Sequence, residues 1–365
     1  MIYLDNAATT FPKPDRVIDA VSDCIMKWCA NAGRSSHELA LRTDEEIYTT
    51  RELLSEFLNF NKPENIVFTL NATYALNTAI KTLIPEGSHV LISDIEHNSV
   101  LRPIESLKRY CSCSYSIFNS SNKFEDDIEK KIKKNTKAIV STLMSNVTGA
   151  EITLERLYEI AKKHRLKLIV DASQLVGHKK IDLSKHTPDA LCAPAHKGLF
   201  GIQGAGFVCF CKDIPKRSFI EGGSGNNSLL RVMPEYLPEH FEAGTLPTPS
   251  IAALGAGIKF INDIGLEQIQ EKIEYLTFYF SNKLQRINGI EIFGRSNGII
   301  SFSHKKDIVN LISKAGICIR SGLHCSPLAH KKLGTLNTGL FRVSLSYFNT
   351  ENDLDTLISI IEGCP

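Results

Sequence analysis

The stretch that decides the fold is Asp189–Phe210, DALCAPAHKGLFGIQGAGFVCF. Two apolar runs, Ala190–Ala193 and Gly206–Phe210, enclose a short segment that holds Lys197 and the glycines Gly198, Gly201 and Gly204. The pattern predicts strand, tight loop, strand. It places one lysine between two buried strands, beside backbone free enough to approach a ligand closely. Apolar surroundings disfavour the ammonium form, so such a lysine is available as a nucleophilic amine. An amine of that kind forms a Schiff base with an aldehyde. Lys197 is the candidate anchor for an aldehyde cofactor; the competing reading is an ordinary solvated loop lysine.

Working outward, apolar strands alternate with amphipathic helices. Towards the N-terminus the strands are expected at 66–69, 90–93, 111–118, 136–143 and 166–170, with helices at 15–30, 38–58, 71–82, 99–109, 124–134 and 153–164. This alternation means a mostly parallel sheet with both faces covered. In such sheets ligands bind beyond the carboxyl ends of the strands. His97, Asn146, Asp171 and Lys197 each stand just after an expected strand. Asn71-Ala72-Thr73 opens a helix directly after a strand, a natural place for an anion; a plain helix cap is the competing reading.

Towards the C-terminus, residues 213–250 carry no regular pattern, which marks a functional or interface segment. Helices follow at 249–262 and 265–284. From Ile290 short strands and two helices, at 305–314 and 351–361, suggest a compact α+β unit. The expected division is an N-terminal segment 1–14, a large domain 15–262 and a small domain 263–365. The loop Ser321–Pro327 carries Cys325 in polar surroundings, so that thiol is the one expected to be reachable. His324 beside it is a candidate for favouring the thiolate, although neighbours in an extended loop often point apart. A buried structural thiol is the other reading. Arg320 and Arg342 flank the loop and suit bidentate binding of a carboxylate.

Composition narrows the class. The chain has 365 residues, 43% of them hydrophobic, enough for a large core. Lys+Arg 42 against Asp+Glu 40 leaves a net charge of +2, and no basic block suits nucleic acid. No run of 18 apolar residues suggests a membrane span, and the N-terminus does not read as a signal peptide. A cytoplasmic location is expected. The ten cysteines show no paired zinc-like spacing, and most read as small core residues. No metal is expected. No GxGxxG follows the first strand, against a simple NAD-binding protein.

The motifs then carry a resemblance. LDNAAT at 4–9, NAT at 71–73, EHN at 96–98, SNVTG at 145–149, DASQ at 171–174, HKG at 196–198, FEAGT at 241–245, RSGLHC at 320–325 and FRVSLSYFNT at 341–350 occur in order along the whole chain. In these the sequence resembles the cysteine desulfurases of the class V aminotransferase group, fold type I pyridoxal-phosphate enzymes. The short RSGLHC loop is similar to that of Suf-type desulfurases and selenocysteine-lyase-like proteins. The resemblance implies an α/β fold with a seven-stranded, mostly parallel sheet and a smaller α+β C-terminal domain. It implies pyridoxal 5′-phosphate on Lys197, Asp171 at the ring nitrogen, His97 on the ring face and Gln174 near the phenolic oxygen. Thr73 and His196 would bind phosphate, and Thr245 would reach the site of a second subunit in a homodimer. Asn146, Arg342 and Arg320 would orient the substrate, and Cys325 would accept sulfur from L-cysteine before passing it to an acceptor protein. A selenocysteine lyase acting on L-selenocysteine and a class V aminotransferase or β-lyase stand as alternatives. Three departures from the family pattern stand out: Pro194-Ala195 replaces Ser-Gly before the His-Lys pair, Tyr74 replaces a second Thr, and Leu323 stands where His is common.

Overall fold

A computed structural model of the chain describes residues 1–33, 36–212, 215–225 and 228–363. Parts of the loops expected at 31–37 and 221–227, and Cys364, lie outside the described residues. In chain order the elements are β1 (Ile2–Tyr3), α1 (Asp15–Asp23), α2 (Glu38–Phe57), β2 (Ile66–Thr69), α3 (Ala72–Leu83), β3 (His89–Ser93), α4 (Asn98–Tyr110) and β4 (Ser114–Phe118). Next come α5 (Phe124–Lys131), β5 (Thr136–Thr142), α6 (Leu154–Lys163), β6 (Lys167–Asp171), β7 (Ala190–Pro194) and β8 (Gly206–Phe210). The chain ends with α7 (Thr248–Ile264), α8 (Leu266–Leu284), β9 (Ile290–Ser296), β10 (Ile299–His304), α9 (Val309–Lys314), β11 (Ile317–Cys318), β12 (Arg320–Gly322), α10 (Pro327–Leu333), β13 (Leu340–Ser344) and α11 (Glu351–Glu362).

The expected seven-stranded sheet is present, in the order β2-β8-β7-β6-β5-β3-β4. β8 pairs antiparallel with both of its neighbours, and the remaining pairs are parallel. Its central strands are buried on both faces, with a period of two. Leu191, Ala193, Phe207 and Cys209 enter one apolar cluster, while Ala190, Cys192, Val208 and Phe210 enter the other. The cysteines Cys192 and Cys209 thus fill core space. A four-stranded antiparallel sheet, β12-β13-β10-β9, forms the C-terminal α+β part with its own apolar cluster. β1 pairs with β11 in a separate two-stranded sheet, and Asp5 bridges to Ser344 of β13, so the N-terminus lies against the four-stranded sheet.

Some expected elements need correction. The helix expected over 15–30 is α-helical only to Asp23; Cys24–Trp28 widens into a π-helical turn. The strand expected from Cys111 begins at Ser114, because α4 runs on to Tyr110 and Cys111 is its cap. The helix expected at 305–314 is confined to Val309–Lys314. A seven-residue helix, α10, starts at Pro327, where the sequence suggests only the end of a loop. Proline at the first helical position loses no hydrogen bond and fixes φ, so the same residue that suggests a stop starts a helix.

Candidate active site

The carboxyl ends of β2, β3, β5, β6 and β7 share one edge of the sheet, and a cavity of about 230 Å³ opens there. The strand order reverses at the β3–β5 pair: β4 lies on one side and β6 on the other. That is where an open α/β sheet leaves a crevice. Thr73, His97, Asn146, Asp171, Gln174, His196, Lys197, Arg320 and Arg342 all line this cavity.

Lys197 follows β7 as expected, and its amine has no hydrogen-bond or ion-pair partner among the described residues. Burial pushes its pKa down to about 8, the nearby Asp171 carboxylate opposes that shift, and Arg342 and Arg320 add to it. Asp171 ends β6, buried, and accepts a hydrogen bond from the Ser173 amide (2.9 Å). Behind it Glu96 is fully buried, held by the Ser93 hydroxyl and by the Thr142 amide (2.8 Å). Burial raises Glu96 to about 8, against the opposing hydrogen bonds from Ser93 and Thr142.

His97 caps α4. Its Nδ1 accepts from the Ser99 amide (3.0 Å), so the ring proton sits on Nε2 in the neutral form. Burial lowers its pKa to about 4; Asp171 opposes this, and Lys197, Arg320 and Arg102 reinforce it. The Ser99 hydroxyl joins His97 Nδ1 (2.9 Å) to the Thr73 hydroxyl (2.8 Å). Thr73 stands at the amino end of α3, whose cap Asn71 accepts from the Tyr74 amide (3.1 Å). The α3 end is pressed onto β8: a Cβ on Gly206 would lie 2.5 Å from the Asn71 carbonyl carbon. Gln174 donates to the Ala7 carbonyl (3.0 Å), and the buried Nδ1 of His196 has no protein partner among the described residues.

The two arginines come from adjacent strands, with Arg320 opposite Arg342 across the β12–β13 pair. Arg342 is buried. It donates to the Asn146 carbonyl (2.9 Å) and to Asp5 (2.6 Å), leaving its buried Nε without a partner among the described residues. Asn146 binds the cysteine loop: its amide donates to the His324 carbonyl (2.8 Å) and accepts from the Ser326 hydroxyl (2.6 Å).

His324 and Cys325 both have left-handed backbone, φ 51° and 58°, and the two side chains separate. His324 turns into the cavity, 2% exposed; Cys325 is exposed on a neighbouring depression of about 410 Å³. Thr73, His97 and Ser99 border both spaces. The expectation that His324 favours the thiolate is therefore corrected. Burial, with Arg342 beside it, lowers His324 to about 3, so it carries no charge at neutral pH. A cation close to the thiol is Arg320, with Nη2 3.7 Å from Cys325 Sγ, and Lys81 and Arg102 line the same depression. Cys29 is also exposed. Thr245 is exposed and lies outside its own chain's cavity, on another depression beside Asp44 and Glu242.

Sequence reading missed Asp5 as the partner of Arg342, Ser99 as the holder of His97, and His330 behind His324. Asp5 was visible within LDNAAT, but its partner is 337 residues away.

Residues 2–357 match the model of the family described as aminotransferase class-V. This chain belongs to that family. It is 31% identical to a probable cysteine desulfurase of Methanothermobacter thermautotrophicus, over 99% of this chain and 94% of the relative. A probable cysteine desulfurase of Borreliella burgdorferi is 30% identical, over 98% and 90%. Among solved structures, apo cysteine desulfurase from Thermococcus onnurineus superposes with a TM-score of 0.90 at 27% identity, over 99% of this chain and 94% of that one. The family is one of pyridoxal-phosphate folds, and the likeness to cysteine desulfurases runs the full length of the chain. No helix among the described residues is long and apolar enough to cross a membrane, and no group of His, Cys, Asp or Glu among them is arranged to hold a metal ion.

Proposed function

We propose that the chain is a pyridoxal-phosphate-dependent cysteine desulfurase of the short-loop, Suf-type kind. It converts L-cysteine to L-alanine and takes the sulfur onto Cys325. The observation that carries the reading is an exposed thiol at the rim of a cavity that holds a half-buried lysine without a partner among the described residues and a buried aspartate.

The cavity's chemistry fits the cofactor. Lys197 offers a free amine for the aldehyde carbon, and Asp171 a carboxylate for the ring nitrogen. His97 supplies a flat face and Gln174 an amide. Thr73, the α3 amino end and His196 supply donors for phosphate. When bound, pyridoxal phosphate supplies an electron sink for charge developing at the substrate's α-carbon.

Arg342 binds the substrate carboxylate through N–H groups not held by Asn146 and Asp5, with Arg320 alongside. Lys197, neutral in a substantial fraction near pH 8, takes the α-proton at Nζ. Cys325 Sγ attacks the substrate sulfur, so an S–S bond forms and the substrate C–S bond breaks. The electron pair of that bond stays with the carbon fragment, which takes up a proton at its β-carbon, regains the α-proton from Lys197 and leaves as alanine. The persulfide then passes to an acceptor thiol or acceptor protein. Thr245 lies outside its own cavity, which suits a homodimer in which Thr245 of the partner subunit reaches the phosphate.

Product analysis of the cofactor-loaded protein tests this. Alanine should form from L-cysteine, and Cys325→Ala should keep the cofactor's absorbance while losing at least about a hundredfold in turnover. Alanine from L-selenocysteine alone would assign a selenocysteine lyase. Pyruvate would assign a β-lyase.

A further inference from the structure

Cys325 lines the neighbouring depression of about 410 Å³ and not the cavity of Lys197. Two helices wall that depression. Thr73, Asn77 and Lys81 recur every four residues and share one face of α3; Ser99, Arg102 and Ser106 follow at three and four residues on one face of α4. The two helices pack side by side, so the depression is a groove between them. Cys325 closes its inner end, where the Cys325 carbonyl accepts from the Asn98 amide at the start of α4 (2.8 Å). Thr73 and Ser99, shared with the cavity, also stand at the amino ends of their helices. Lys81 lies eight residues beyond Thr73, about 12 Å along α3.

The charge of this groove has one sign. Lys81 and Arg102 line it, and no Asp or Glu among the described residues does. Arg320 adds a third cation beside the thiol. Glu105, the acid on α4 closest to Arg102 in sequence, is taken up by the Tyr115 hydroxyl and lies 3.9 Å from Lys108. Arg102 is exposed, and neither it nor Lys81 has an ion-pair partner among the described residues; the Lys81 ammonium lies 5.1 Å from the Phe219 ring centroid. Cations gathered without an acid among them raise the local concentration of anions.

We propose that the groove takes a small thiol bearing carboxylates, which Lys81 and Arg102 attract while its sulfur meets Cys325. The inference rests on the sulfur transfer proposed above and names the class of acceptor. A persulfide on Cys325 is discharged by a thiolate. The thiolate attacks the outer sulfur, a new S–S bond forms as the old one breaks, and Cys325 leaves as a thiolate. The acceptor carries the sulfur away as its own persulfide, so the step needs no outside oxidant or reductant. The volume of the groove is that of a small-molecule site. Its charge favours an anionic thiol over a neutral one and repels a cationic one.

Two measurements on the cofactor-loaded protein test this. Alkylation reads the groove without turnover. Iodoacetate carries a carboxylate and iodoacetamide does not; their rate ratio at Cys325, read on the tryptic peptide Ser321–Lys331, should fall about tenfold when Lys81→Gln and Arg102→Gln are combined. In the second, Cys325 is loaded with sulfur from L-cysteine, the substrate is removed, and loss of the added sulfur is followed by intact mass. At equal thiolate concentration mercaptosuccinate should discharge it about tenfold faster than mercaptoethanol, and cysteamine should be slowest. The paired substitutions should bring the three within about threefold, and added salt should narrow the gap in the unaltered protein. An alkylation ratio unmoved by the substitutions, or three thiols of equal speed on the unaltered protein, would overturn the inference. Failure to form any persulfide would count against the desulfurase reading, and the alkylation ratio would still decide whether the groove selects anions.

Discussion

At the scale of single residues, the site is set by how burial treats charge. Lys197 is half-buried and has no partner among the described residues, so its amine gives up its proton near pH 8 rather than at the ordinary lysine value. The sign follows directly: the reactive free amine is scarce well below pH 8 and dominant well above it. Reductive trapping of pyridoxal phosphate on Lys197, read by peptide mass spectrometry, should rise with a midpoint near pH 8. Asp171→Asn removes the carboxylate that favours the ammonium and should move the midpoint lower. A midpoint near the ordinary lysine value would contradict the account. Lys197 was legible in the sequence because its surroundings are local: two apolar runs and a glycine-rich turn within a few residues. The separation of His324 from Cys325 was not. It depends on two consecutive left-handed residues, and neither His nor Cys declares that conformation in a sequence.

At the scale of elements, the irregular segment between β8 and α7 is tied to the sheet through a buried ion pair. Arg51 of α2 meets Glu242 through two hydrogen bonds, 2.8 and 2.7 Å, and Glu242 also accepts from the Phe68 amide in β2 (2.6 Å). The Arg51 guanidinium lies 4.5 Å from the Phe68 ring centroid. Removing one partner of such a pair leaves a buried charge uncompensated, at a cost of about 3–5 kcal/mol. Glu242→Ala should therefore lower the unfolding free energy by about that amount in denaturant titration. A change below about 1 kcal/mol would mean that water reaches Arg51 at no cost. The FEAGT motif announced the importance of this segment, but no periodicity linked it to α2. The strands fared better, since alternation between two buried faces is written in Ala190–Ala193 and Gly206–Phe210 themselves. The short helix α10 was hidden, because seven residues opening on proline resemble a loop end.

At the scale of the whole molecule, the site depends on contacts between segments far apart in the chain. Asp5 reaches Arg342, and Asn146 reaches the His324 carbonyl. Gly149 lies so close to the second sheet that a Cβ there would sit 2.0 Å from the Ser296 carbonyl oxygen. The two sheets thus close on the cavity from opposite sides. Ordered motifs along the sequence indicated that these segments belong together; the pairings themselves needed three dimensions. The proposed homodimer adds one more element from outside the chain. If Thr245 serves the partner's cavity, a mixture of Lys197→Ala and Thr245→Ala chains should form mixed dimers with one complete site. Such mixtures should retain cofactor through dialysis better than the Thr245→Ala protein alone. No gain on mixing, or a monomer by light scattering, would contradict shared sites.

The central claim is that Cys325 carries the sulfur. The measurement that tests it most directly is intact and peptide mass spectrometry of the cofactor-loaded protein after brief exposure to L-cysteine, without reductant. One sulfur atom should be added to the peptide containing Cys325, lost on treatment with a thiol reductant and matched by one alanine released. An unmodified Cys325 alongside continued alanine formation, or added sulfur on Cys29 instead, would contradict it.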